Sequence, residues 1–245
     1  VFGALVMLSL LRLRGPFPRI SRRDLKLFVV IGLISNALPL TMITISVSFV
    51  DSSVTATTMA LVPLITMMMA MAGGTYPTLR NTIGLLVGLA GIAVLFGPKS
   101  LMSVGNGSFG AISALCAGIS FSSSLFLMGR VRQYPPFAVA TYALIAAAFW
   151  SVPMALAIDG MPTSVPGRSA LGALVVLIVF NTAAANMLLF VLVPRTSPSF
   201  TAVNNYIVPT IAVICGRLFL AEPVTQRGIL GVVIVLSGVA ISTIR

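Results

Sequence analysis

The sequence has no histidine and, in 245 residues, only four acids: Asp24, Asp51, Asp159 and Glu222. Without imidazole there can be no histidine triad, no HExxH zinc site and no imidazole proton relay. Each acid stands at the edge of an apolar run, so proton coupling through a carboxylate at membrane depth has no candidate here. The two cysteines, Cys116 and Cys215, lie mid-segment in apolar surroundings and read as small packing residues, not as a disulfide framework or a CxxC site. From this inventory no cofactor and no metal site are expected. An intramembrane enzyme would need a nucleophile, acid or metal cluster at membrane depth; none is visible, and the chain is read as not an enzyme.

What is present is apolar length. Hydrophobic residues make up 58% of the chain and charged ones 8%, with a mean hydropathy of +1.10, far from the balance of a soluble domain. A helix needs about 20 apolar residues to span the hydrocarbon core. Eight segments qualify or nearly so: Leu27 to Phe49, Ser53 to Ala72, Asn81 to Gly97, Phe109 to Met128, Phe137 to Ile158, Ala170 to Val193, Phe200 to Leu220 and Gly228 to Ile244. Val1 to Leu11 would make a helix only about 16 Å long; it reads as the second half of a helix, and the chain as a fragment of a longer parent. Under alternation of sides, the basic connection of Arg12, Arg14, Arg19, Arg22, Arg23 and Lys26, together with Arg80, Arg130, Arg132, Arg195 and Arg245, falls on one side. Lys99, Arg168, Arg217 and Arg227 fall on the other. Positive residues concentrate in cytoplasmic loops, so the first group, the C-terminus included, is expected inside a cell (plasma or inner) membrane. The net charge of +11 is thereby a matter of orientation in a bilayer, and no nucleic-acid partner is needed.

The chain also repeats itself. Thr55, Ala56, Val62 and Pro63 align without a gap with Thr201, Ala202, Val208 and Pro209. One segment earlier Asn36 pairs with Asn181; one segment later Thr78, Arg80, Gly84 and Gly91 pair with Thr225, Arg227, Gly231 and Gly238. The unit is about five helices, and an odd number turns the second copy upside down, the inverted-repeat plan of secondary transporters. The expected division is residues 1–99 for a first, N-terminally truncated repeat and 100–245 for the second.

Val208-Pro209, then Leu220-Ala221-Glu222-Pro223-Val224-Thr225, then Gly231 and Gly238, resemble the proline-bearing helix, acidic turn and glycine-ruled last helix of the drug/metabolite transporter superfamily, specifically its EamA-type family. Val62-Pro63, Thr78, Gly84 and Gly91 match in the first repeat, where Thr75 replaces the family's usual glutamate. The resemblance runs from about Leu27 onward. It implies an all-α polytopic bundle of two inverted five-helix repeats around a central cavity, with both termini cytoplasmic.

Thr201, Asn204 and Asn205 share one helix face, followed by Tyr206. They are read as a cavity wall for a polar solute, with interhelical hydrogen bonding at about 0.6 kcal/mol each as the alternative. Thr55, Thr57 and Thr58 are their counterparts, although a threonine can also satisfy its hydroxyl on the preceding turn. Asn36 and Asn181, with Thr182 and Asn186 extending the arc, either approach a pseudo-two-fold axis near mid-membrane or fix helix packing. Pro39, Pro63, Pro153 and Pro209 are expected helix bends. The stripe of Ser113, Ala117, Ser120 and Ser124 reads as close packing, and Glu222 as a loop ion pair between Arg217 and Arg227. Tyr142 and Trp150 suit either a flat solute or the lipid interface. Gly105-x-Gly107-x-x-Gly110 follows no strand and is read as a loop.

The resulting expectation is a multi-pass transporter moving a small metabolite or drug-like solute, such as an amino acid or nucleoside, by alternating access through a neutral polar cavity, with export as the expected direction. Its partners are that solute and the bilayer; a homodimer stays open. A channel, which would conduct without saturation, and an intramembrane enzyme are the alternatives.

Overall fold

The computed structural model describes residues 2–14, 20–50, 52–97, 109–158, 160–161, 167–192, 195–196, 201, 203, 205–208, 210–211 and 226–243. Among these, every regular element is helical: α1 (Phe2–Arg14), α2 (Arg22–Gly32), α3 (Leu38–Phe49), α4 (Ser52–Met59), α5 (Val62–Ala72), α6 (Leu79–Phe96), α7 (Phe109–Met128), α8 (Pro136–Ile158), α9 (Arg168–Val176), α10 (Ala185–Leu192) and α11 (Gln226–Thr243). The wider π-helical turn joins α2 to α3 over Leu33–Ala37 and α9 to α10 over Leu177–Ala184.

Among the described residues, six helical runs are long and apolar enough to cross a membrane: Asp24–Phe49, Val54–Ala72, Leu79–Phe96, Phe109–Val131, Pro136–Ile158 and Ser169–Leu192. They follow the first six expected segments closely. The eighth expected segment forms α11, while most of the seventh lies outside the described residues. Many large side chains are turned outward, among them Leu13, Phe149, Phe180 and Leu188. That is costly in water and favourable in acyl chains. The protein is an all-helical, multi-pass membrane protein.

The chain forms two compact units, Val1–Thr41 with Ser124–Thr196, and Met42–Ser123 with Ser197–Arg245. Each draws on both sequence halves. In the first unit, α2 and α8 approach through small residues. A Cβ on Gly32 would stand 2.6 Å from the Ala147 nitrogen and 2.7 Å from the Ala143 carbonyl. Beside this contact Phe28 is buried against the rings of Tyr134 and Tyr142, with centroids 5.7 and 5.6 Å away, and the Trp150 indole donates to the Val29 carbonyl at 3.2 Å. Tyr142 and Trp150 are thus both engaged within the protein. Thr141 of α8 donates to the Met7 carbonyl of α1 at 3.4 Å and to Phe137 of its own helix at 2.8 Å.

In the second unit, α6 and α11 run antiparallel at backbone contact. Thr78 caps α6, accepting from the Asn81 N–H at 3.2 Å. A Cβ on Gly84 would meet the Gly238 carbonyl at 2.7 Å and the Ser242 nitrogen at 2.6 Å; one on Gly91 would meet the Gly231 carbonyl at 3.0 Å and the Val235 nitrogen at 2.6 Å. One on Gly231 would meet Leu95 Cα at 2.8 Å, and one on Gly238 would press on the Gly88 nitrogen. Under the alignment of Gly84 with Gly231 and Gly91 with Gly238, each contact recurs with the helices exchanged: 84–238 with 91–231, 88–238 with 91–235, 84–242 with 95–231. Reciprocity of this kind is the property of an isologous pairing about a two-fold axis. The helix ends follow suit. Arg80 at the start of α6 donates from Nε to the Ile241 carbonyl near the end of α11 at 3.1 Å, and Arg227 at the start of α11 reaches Gly97 at the end of α6. Cations there offset the negative pole of a helix C-terminus.

Candidate substrate-cavity residues

The first Thr-Ala-Pro copy is a broken helix. Leu61 N–H reaches back only to the Thr58 carbonyl, at 3.0 Å, and α5 begins afresh with Pro63 at its second position, where a missing N–H costs nothing. Thr55, Thr57 and Thr58 of α4 are buried. Thr55 Oγ1 and Ser46 Oγ of α3 share a hydrogen bond of 2.7 Å, whereas the Thr58 hydroxyl donates to the Val54 carbonyl of its own helix at 2.9 Å. Below the break, Thr66 donates to the Val62 carbonyl at 2.8 Å and to Ser122 Oγ of α7 at 3.0 Å. Its second bond pins α5 to α7 beside the break.

The second copy tightens at nearly the same place. Tyr206 N–H bonds the Val203 carbonyl at 2.9 Å, and residues 205–208 are helical. Thr201 is buried and Asn205 half-buried; Asn204 and Pro209 lie outside the described residues, as does Glu222. Tyr206 is fully buried: its ring lies on Gly88 and its hydroxyl donates to the Leu85 carbonyl at 3.1 Å. It shares a cluster with Val203 and Ala60, so turn residues of both copies come together on α6. In this conformation Tyr206 is a packing residue and presents no surface to a solute.

Asn36 and Asn181, one segment earlier in each repeat, both fall within the π segments. Asn36 is half-buried and donates from Nδ2 to Ser35 Oγ at 2.7 Å. Pro39 follows three residues on and cannot donate to the Ser35 carbonyl, which gives the widened turn a local cause. No proline stands near Asn181, whose side chain is not among those described. There Thr182 donates its hydroxyl to the Leu177 carbonyl, five residues back, at 3.2 Å, and Asn186 Nδ2 donates to the Thr182 carbonyl at 2.8 Å. Side chains thus supply bonds along the widened stretch. Pro153 lies inside the uninterrupted α8. Single-turn π-bulges inside α-helices are frequently found at functional sites.

Of the expected residues, the structure groups Asn36 and Asn186 within the first unit and Thr55, Thr58, Thr201, Asn205 and Tyr206 within the second. The EamA-like transporter family model matches residues 1–97 and again 108–244, nearly the whole chain. This chain belongs to the EamA-like transporter family. It is also 21% identical, over 98% of its own length and 83% of the relative's, to the uncharacterized transporter YoaV of Bacillus subtilis (strain 168). A solved crystal structure superposes with a TM-score of 0.80 at 18% identity, covering 99% of this chain and 85% of the other, a likeness of fold. The protein is therefore an EamA-family multi-pass membrane transporter, with a small-molecule substrate and a bilayer as its surroundings.

Sequence reasoning about this EamA chain missed the π segments and the hydroxyl links Ser46 with Thr55 and Thr66 with Ser122. Pro39 could have signalled the first π segment. Nothing local signals Ser122, which stands off the stripe of Ser113, Ser120 and Ser124 and bonds a residue 56 positions away.

Proposed function

We propose that this EamA-family transporter carries a small neutral or zwitterionic solute, of the amino-acid or nucleoside kind, by alternating access, with export as its working direction. The observation that carries the reading is the repeat-equivalent pair of π segments, each bearing an asparagine, Asn36 and Asn181. A π turn weakens the regular backbone ladder at one level of a helix, and an amide at that level offers a donor and an acceptor without charge. The reciprocal packing of α6 and α11 supports a pseudo-two-fold between repeats, and the broken turns before Pro63 and at Val203–Tyr206 supply places where helices can bend. Inverted repeats that rock about such an axis expose one site to either side in turn. Asn204 and Asn205 of the second repeat are further candidates for contact with the solute. The test is substrate counterflow in vesicles loaded from a panel of amino acids, nucleosides and sugars. Saturable counterflow by the wild type, lost in Asn36→Leu and Asn205→Leu proteins that still insert and fold, is the expected result. Unsaturable flux would favour a channel, and undiminished transport by both variants would remove these amides from the site.

A further inference from the structure

The first unit contains a pocket of about 990 Å³ lined by Ser21, Asp24, Lys26, Leu27 and Val30 from α2 and its cap, and by Leu127, Gly129, Arg130, Arg132 and Gln133 from the end of α7 and the turn beyond. Its position is set by span ends. Asp24 opens one membrane-crossing run and Val131 closes another, so the pocket mouth stands where lipid meets water. Three cations, Lys26, Arg130 and Arg132, are exposed at that level and have no hydrogen bond or ion pair among the described residues. The one carboxylate on the wall is already committed: Asp24 Oδ2 accepts from Ser21 Oγ at 2.9 Å and from Tyr134 Oη at 2.6 Å. One helical turn deeper, the lining becomes apolar through Leu27, Val30 and Leu127.

We propose that this pocket binds the phosphate headgroup of an anionic membrane phospholipid, with an acyl chain lying along Leu27, Val30 and Leu127. Unpaired guanidinium and ammonium groups favour a phosphate, and Arg130 and Arg132 supply forked donors that match two of its oxygens. The change from charged rim to apolar wall over ~6 Å, one turn of helix, follows the order of a lipid from head to tail. A free phosphate would leave that wall unused. On the orientation expected from the distribution of positive charge, this end faces the cytoplasm, where basic pockets between helices meet anionic lipid. The inference is independent of which solute is transported.

The experiment is native mass spectrometry and thermal unfolding of the purified full chain with phosphatidylglycerol, phosphatidylcholine or inorganic phosphate. Phosphatidylglycerol alone is expected to remain bound and to raise Tm. Each cation near a bilayer surface contributes to anionic-lipid affinity, so Arg130→Gln should weaken phosphatidylglycerol roughly fivefold and the K26Q/R130Q/R132Q protein roughly a hundredfold. Arg12→Gln, outside the pocket, should leave it unchanged. Equal protection by inorganic phosphate would overturn the lipid assignment in favour of a soluble anion. Undiminished phosphatidylglycerol binding by the triple variant would overturn the pocket itself; should that variant not fold, unchanged affinity in Arg130→Gln and Arg132→Gln singly would do the same.

Discussion

At the scale of single residues, two tyrosines with different surroundings make separable claims. Tyr206 packs its ring on Gly88 and gives its hydroxyl to the Leu85 carbonyl. Tyr206→Phe loses one hydrogen bond and should cost about 1 kcal/mol; Tyr206→Ala empties the cluster and should cost about 3–5 kcal/mol. Unfolding in detergent, followed by circular dichroism, checks the ratio. Equal losses would mean that the hydroxyl, not the ring, is what matters. Tyr134 lies between two spans, and its hydrogen bond to the Asp24 carboxylate, with burial adding to it, raises the phenol above its ordinary value of 10.0. A raised folded-state value means that the neutral phenol is the form the fold favours. The contribution is present below the unfolded-state value of about 10 and is lost as pH rises through the folded one. The Tm advantage of wild type over Tyr134→Phe should therefore hold at neutral pH and close under strongly alkaline conditions. A gap that persists there would show that the bond to Asp24 is not its source.

At the scale of elements, the packing of α6 on α11 and the two π segments behave differently. Gly84, Gly91, Gly231 and Gly238 allow backbones to touch, and any Cβ there meets another backbone within 3.0 Å. Gly91→Val and Gly238→Val should each destabilise by about 1–3 kcal/mol or more, because backbone cannot yield as a side chain does; Gly172→Val, in open space on α9, should not. Thermal melts of the three proteins decide this. The π segment at Leu177–Ala184 is bonded by Thr182 and Asn186 through backbone carbonyls. Thr182→Val removes the bond to Leu177 at a cost of ~0.6 kcal/mol, small for stability. Faster hydrogen exchange confined to residues 177–186 is the expected signature; uniform exchange across α9 and α10 would assign the widened turn to tertiary packing instead. The Ser122 bond to Thr66 illustrates why such links were not legible: serine spacing along α7 marks a face, but which face meets α5 is a long-range matter.

At the scale of the whole molecule, the sequence by itself determined the class. Six apolar runs of span length, bounded by Asp24, Arg80, Arg130 and similar charges, became helices nearly residue for residue, because hydrocarbon leaves backbone groups no partner except within their own helix. The sequence also shows a recurrence, with Asn36, Thr55 and Gly84 returning at a nearly constant offset as Asn181, Thr201 and Gly231. Only the tertiary structure decided how those helices are shared out: the compact units are Val1–Thr41 with Ser124–Thr196 and Met42–Ser123 with Ser197–Arg245, each mixing both halves. It also turned Tyr206 inward onto Gly88 and placed Lys26, Arg130 and Arg132 around one pocket. The physical reason is range. Length and hydropathy act within one helix and are written in consecutive residues. Packing depends on which small residues, far apart in the chain, permit two backbones to approach.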